Sequence, residues 1–323
     1  MYEALLPLDE IRLNFSPESL FVLNLTLAFI MFGVALEIKV KHFRRIIANP
    51  KSAVVGFISQ FFLLPAITFS LIALLRNQIT PTVALGMLLV ASCPGGNISN
   101  FISSLAKGNS ALSVSLTAIA TISAIFMTPF NFAFWGGLYT NYISHVDADT
   151  LLRPLEINPV QMFQTVFLLL GIPLIIGMWF NHNFEKATDK LVRPLKALSI
   201  IFFIAIVVLA FRNNFNYFIA HIKFIFIIVL LHNALALTSG YLFASLFRVK
   251  RRDRRALTIE TGIQNSGLGL VLIFNPKIFP ESLDVGGMAY IAAWWGIWHI
   301  IAGLSIAGFW SKIKVEGEKI ENA

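Results

Sequence analysis

Nine apolar stretches, each about the length of a bilayer crossing, follow one another along this chain with only short polar connectors between them. They cover about 19–38, 52–76, 81–106, 110–137, 159–180, 195–212, 222–247, 255–276 and 286–311. A hydrocarbon layer about 30 Å thick takes roughly 20 apolar residues to cross as a helix. Inside lipid a spanning segment has to satisfy its own backbone N–H and C=O groups, which restricts it to a helix or a closed barrel. Stretches of this length are helices. The predicted fold class is an all-α polytopic membrane protein with nine transmembrane helices, one domain over 1–323. Charged residues make up 13% of the chain, about half the share of soluble domains.

The placement of charge gives orientation. Of 25 Lys and Arg, nineteen fall in 39–51, at Lys107, or in 186–196, 248–255 and 312–319. Those segments follow spans one, three, five, seven and nine. Arg12, Arg76, Arg153, Arg212, Lys223 and Lys277 fall on the other side. The positive-inside rule then puts the amino terminus outside and the carboxyl terminus in the cytoplasm. A net charge of +8 so distributed sets topology; it does not describe a nucleic-acid surface. Basic residues are absent from the first few positions, so no cleavable signal is expected and the first span drives insertion. The single cysteine, Cys93, excludes a disulfide within the chain.

Two spans are interrupted. Span three carries Pro94-Gly95-Gly96-Asn97 within its apolar run, and span eight carries Gly262, Gln264, Asn265 and Ser266. They lie five spans apart, so they cross in opposite directions, as an inverted repeat requires. Repeat one is then about 19–137 and repeat two about 159–311.

Glu260 is the one acidic residue well inside a predicted span. A carboxylate at such depth costs about 2.5–3.5 kcal/mol even on lenient scales and needs a protein-lined setting. Counting about 1.5 Å of rise per residue, Gln60, Ser99, Asn100, Ser113, Thr117 and Gln264 fall at the same inner level. These are oxygen-bearing side chains, the donors a hard cation prefers. Where each broken helix restarts, at Asn97–Asn100 and Asn265–Gly267, its N–H groups face the cavity and favour an anion. The substrate set is Asn97, Ser99, Asn265 and Ser266 from the two breaks, with His299 of span nine. His299 either lines that cavity or hydrogen-bonds within the bundle. His232, Cys93, Trp294, Trp295 and Trp298 are read as packing residues.

The runs CPGGNISN and KGNSALSVSLT, then LTIETGIQNSGL and WGIWH, resemble the bile acid:sodium symporter family over about Phe32 to Trp310. The resemblance implies a ten-helix inverted repeat, here without its first helix, divided into panel and core domains. It implies two sodium ions. One would be held by Ser99, Asn100, Ser113, Thr117 and Glu260; the other by Gln60, Glu260, Gln264 and the carbonyls of Thr261 and Ile263. It implies symport of a small organic anion, a bile acid or a small carboxylate such as pantoate or a 2-keto acid. Asn97 and Ile300 depart from the bacterial pattern, which has threonine and asparagine there. The expected setting is the inner membrane of a cell, with the lipid bilayer and the anion as partners, no nucleic acid and no obligate protein partner. Proton-coupled or uncoupled carriage, an intramembrane enzyme and a non-transporting sensor are the alternatives. No Gly-x-Ser-x-Gly, His-Glu-x-x-His or Asp-rich diphosphate motif supports the enzyme.

Overall fold

A computed structural model describes residues 1–9, 17–39, 50–146, 159–192, 194–195, 197–198, 201, 215–279 and 284–313. Its principal helices are α1 (Tyr2–Asp9), α2 (Pro17–Leu36), α3 (Pro50–Leu74), α4 (Pro81–Ser92), α5 (Ile98–Leu105), α6 (Ser110–Val146), α7 (Pro159–Asn183), α8 (Phe215–Leu246), α9 (Arg251–Gly262), α10 (Ser266–Ile273) and α11 (Gly286–Ser311). Among the described residues, five segments are long and apolar enough to cross a bilayer unaided: Pro50–Leu74, Ser110–Asn141, Pro159–Asn183, His221–Leu246 and Gly286–Ser311. Most of the sixth predicted span, 195–212, lies outside the described residues, as do Lys41, Arg44 and Arg45.

The two interrupted spans break where the sequence indicates. Each has a 12-residue helix before the break and an 8-residue helix after it: α4 then α5, and α9 then α10. At the crossing, Gly95 and Gln264 form an isolated antiparallel bridge, so the chain runs in opposite directions through the two breaks.

The packing is that of a protein in lipid. Phe126, Phe130 and Phe134, one turn apart on α6, are each more than half exposed. Ser, Thr, Asn and Gln side chains are buried in the interior instead, including Ser59, Gln60, Ser99, Thr117 and Gln264. Phe61, Tyr290 and Trp295 are among the largest fully buried side chains. Small residues let helices approach: a Cβ on Gly86 of α4 would lie 2.7 Å from the Met288 Cα of α11.

Helices α3 and α7 each widen into one π turn, Ser59–Leu63 and Phe167–Gly171, just ahead of Pro65 and Pro173. Proline has no N–H, and its ring presses on the carbonyl four residues back. In α3 that carbonyl is Phe61's, and it accepts from Asn131 Nδ2 of α6 at 2.8 Å. His232, predicted as a packing residue, meets Thr68 Oγ1 through Nε2 at 2.8 Å and lies against the Trp295 ring.

Arg255, 2% exposed, fastens the end of the bundle where α5 and α11 finish. It donates to the carbonyls of Ala106 at 2.7 Å and Ile313 at 3.3 Å, and lies over the Trp310 ring. A cation at the carboxyl end of α5 also complements that helix's dipole.

Helix α1 was not expected from the sequence, being eight residues long with Pro7 inside. It is held from outside itself. The Asp9 carboxylate accepts from the Thr80 and Thr82 hydroxyls, both at 2.6 Å, and so caps the first turn of α4 from a distant part of the chain. Burial pushes the Asp9 carboxyl above its usual range, with Asp284 adding like charge, while the threonine bonds oppose the shift. An acid whose folded pKa is raised contributes most below its unfolded value and less as pH climbs through the folded one. The thermal midpoint of the protein should therefore carry a component that falls as pH rises above the ordinary carboxylate range. Asp9→Asn, which keeps an acceptor but does not titrate, should flatten it; equal slopes for both proteins would contradict this role.

Candidate functional site

Breaking a helix in lipid frees backbone groups that have to be answered inside the protein. Here the answers come from across the crossing. The Gly96 N–H donates to Ile263 O at 2.7 Å and the Asn265 N–H to Pro94 O at 2.8 Å. Thr128 Oγ1 takes Ser92 O at 2.7 Å, Gln60 Nε2 takes Cys93 O at 2.9 Å, and Asn233 Nδ2 takes Gly262 O at 2.7 Å. The two breaks are thus one structure, and α3, α6 and α8 supply the side chains that complete it.

Beside this crossing lies Glu260, 3% exposed. Ser99 Oγ donates to its Oε2 at 2.6 Å, Thr117 Oγ1 to its Oε1 at 2.8 Å, and Ser113 Oγ reaches Oε2 at 3.4 Å. Asn100 Oδ1 accepts from Ser113 Oγ at 2.9 Å and Thr117 Oγ1 at 3.1 Å. Thr117 Oγ1 is also 3.0 Å from Ser113 O. The five residues predicted for a first cation therefore form one cluster, built from α5, the start of α6 and the end of α9.

The proton count of this cluster is its main chemical property. Three hydroxyls bring three protons. Around them stand both Glu260 oxygens, Asn100 Oδ1 and the Ser113 carbonyl. Thr117 alone has three acceptors within reach and one proton to give. Oxygens outnumber donors around a buried carboxylate, and no salt bridge is found there among the described residues. A buried carboxylate without a counter-charge is costly, and an oxygen-only donor set suits a hard cation.

The residues predicted for a second cation are gathered differently. Gln60 Nε2 donates to Gln264 Oε1 at 2.7 Å, and Gln264 Nε2 reaches Thr261 O at 2.7 Å and Gln60 Oε1 at 3.3 Å. Ile263 O is engaged by Gly96 N–H. Glu260 has its hydrogen bonds in the first group and none to either glutamine. Gly95 joins the two groups, since it bridges to Gln264 and its missing side chain leaves room for the Glu260 carboxylate.

The residues predicted for substrate do not gather in the same way. Ser99 is turned onto Glu260. Asn265 Oδ1 caps α10 through Leu268 N–H at 3.1 Å, with its Nδ2 toward Met31 of α2. Ser266 is buried at the first turn of α10. Asn97 begins α5 with no capping bond from its side chain. His299 is buried on α11, with Nδ1 unpartnered among the described residues.

Sequence reasoning missed Asn233, which follows His232, and Ser59, whose Oγ lies 2.9 Å from Thr261 Oγ1. A lone amide or hydroxyl within an apolar span was the available signal. Gly95→Ala should be damaging, because the new methyl would fall onto the Glu260 carboxylate. A loss of about 1–3 kcal/mol is expected from such overpacking. A thermal midpoint unchanged from the parent would contradict the close approach.

A model of the sodium bile acid symporter family matches residues 24–221. An uncharacterized sodium-dependent transporter of Bacillus subtilis (strain 168) is 31% identical over 305 residues, covering 93% of this chain and 88% of the relative. A probable chloroplastic sodium/metabolite cotransporter of Arabidopsis thaliana is 31% identical over 87% of this chain, which spans 65% of that protein's length. The human ileal sodium/bile acid cotransporter is 29% identical over 82% of this chain and 72% of its own. With its two broken helices crossing beside a buried carboxylate, the chain belongs to the sodium bile acid symporter family.

Proposed function

We propose that this protein is a secondary active transporter that carries a small organic anion with sodium across the cell membrane by alternating access. One observation carries the reading: the oxygen cluster around Glu260 is rich in acceptors, short of protons and lies at the crossing of the two breaks. Sodium would supply the missing positive charge. In this reading the first ion takes Ser99, Asn100, Ser113, Thr117 and Glu260. The second takes Gln60, Glu260, Gln264 and the carbonyls of Thr261 and Ile263, with both glutamine amides turned to present Oε1. A second ion would also compete with the N–H groups that now hold those carbonyls. That competition makes the two sodium positions unequal.

The anion meets the crossing through the amino-terminal turns of α5 and α10, with Asn97, Asn265, Ser266 and His299 in reach. Ser99 belongs with the cation in this account. The names of the human and plant relatives point to bile acids and to metabolites, and small carboxylates such as pantoate or a 2-keto acid fit the same dipoles. Asn97 and Ile300 are where specificity would diverge. The proposed topology has nine spans, amino terminus outside and carboxyl terminus cytoplasmic. α2 and α7, which pack along each other, belong to a panel that moves against the core of broken helices. Cation and anion are coupled because Gly95–Asn97 and Gln264–Ser266 serve both.

Proteoliposome uptake of candidate carboxylates and bile acids, in sodium and in choline at one pH, tests this. Uptake should need sodium, and Glu260→Ala should reduce it to background. Full sodium-dependent uptake by Glu260→Ala would contradict the cation site, and equal uptake in choline would favour uncoupled or proton-coupled carriage. Binding should also appear as thermal stabilisation in sodium, about 2.7 kcal/mol at a hundredfold excess over Kd.

A further inference from the structure

A second polar feature lies away from the crossing, where α5 turns into α6 and α8 turns into α9. A cavity of about 630 Å³ opens there, lined by residues 109–111 and 250–253. Two helices begin at its wall, the 37-residue α6 at Ser110 and the 12-residue α9 at Arg251. Their first N–H groups have no partners within the helix and carry its positive end. Asn109 Oδ1 already caps the first turn of α6, accepting from Leu112 N–H at 3.1 Å, whereas no side chain caps α9 at Lys250.

Three cations, Lys250, Arg251 and Arg252, stand at this wall, and all three are exposed. No hydrogen bond or ion pair among the described residues engages their side chains. Their neighbours differ. Arg254 donates to Val249 O and lies over the Tyr241 ring, and Arg255 holds Ala106 and Ile313. The one carboxylate in the wall, Asp253, is already occupied. It accepts from Ser52 Oγ at 2.7 Å and from Asn109 Nδ2 at 2.8 Å. The wall therefore offers three positive charges against one engaged negative charge, together with the uncapped start of α9.

The chain just ahead of the cations is apolar and exposed. Leu242, Leu246 and Phe247, at the end of α8, are 59%, 75% and 43% exposed. Phosphate chemistry on one side and hydrocarbon on the other fit a phospholipid better than a soluble phosphate. Basic pockets at the membrane face between helices take anionic headgroups in this way.

We propose that this cavity binds the phosphate of an anionic phospholipid headgroup, with the acyl chains lying against the exposed end of α8. This site is independent of the cation cluster in its ligand. It shares one element with it, because α9 carries Arg251 at its start and Glu260 in its last turn. A headgroup held there would tether the outer end of the half-helix that presents the carboxylate.

The test uses the full chain in nanodiscs of phosphatidylcholine and phosphatidylglycerol in equal parts, released for native mass spectrometry. The parent should retain phosphatidylglycerol over phosphatidylcholine severalfold, and Arg251→Gln with Arg252→Gln should bring the ratio to parity. Removing basic residues also weakens a topology signal, so a second variant, Ala111→Asp, keeps every cation and places a carboxylate in the cavity. It too should lose the preference, while its thermal midpoint stays near that of the parent. Equal retention of both lipids by the parent, or a preference that survives in both variants, would overturn the proposal. In a detergent arm, inorganic phosphate should leave the midpoint unchanged; stabilisation by phosphate that these variants abolish would make the ligand a soluble phosphate and overturn the lipid assignment.

Discussion

Two backbone hydrogen bonds hold the centre of this molecule together, Gly96 N–H to Ile263 O and Asn265 N–H to Pro94 O. They are the smallest possible piece of antiparallel pairing, and they join two helices that each stop halfway across. Without them, four backbone groups would stand unpaired in a low-dielectric interior at a cost of about 1–3 kcal/mol each. The rest of the interior is arranged around that pairing. Gln60, Thr128 and Asn233 take carbonyls that the pairing leaves over. The π turn before Pro65 belongs to the same arrangement, since it contains both Ser59 and Gln60.

The carboxylate of Glu260 depends on the crossing as well. It can sit there because Gly95 has no side chain and because Ser99, Thr117 and Ser113 present hydroxyls. Hydroxyls can donate to a carboxylate, or turn and offer a lone pair to a cation, without moving the backbone. In the proposed cycle, that rotation lets one cluster exist with and without sodium. The adjacent backbone would pass the difference to the amino-terminal turns of α5 and α10, where the anion is proposed to lie.

Much of this was legible in the sequence, for physical reasons. Pro94-Gly95-Gly96 and the polar Gln264-Asn265 interrupt apolar runs, and the chain leaves the helix at both. Depth counting works because helical rise is constant, so it puts residues from four spans at one level, and five of them share one cluster. What depth cannot give is azimuth. Ser99, counted among both the substrate and the cation residues, faces only the carboxylate among its hydrogen-bonding neighbours at the crossing apart from Thr117. The glutamines pair with each other, apart from Glu260. Asn233 and Asn131 were passed over because one amide in an apolar span has no periodicity to reveal its face. α1 was beyond reach for another reason: its anchor, Asp9, meets Thr80 71 residues away, and no local pattern announces such a contact.

In the proposed cycle, a cation beside Glu260 orders the crossing of the two breaks. Hydrogen exchange of the purified protein in sodium chloride and in choline chloride tests it most directly, read at the peptides covering 93–97 and 262–266. Sodium should slow exchange in both peptides together, and Glu260→Ala should remove the effect. Identical exchange in the two salts, or slowing in one break without the other, would contradict it.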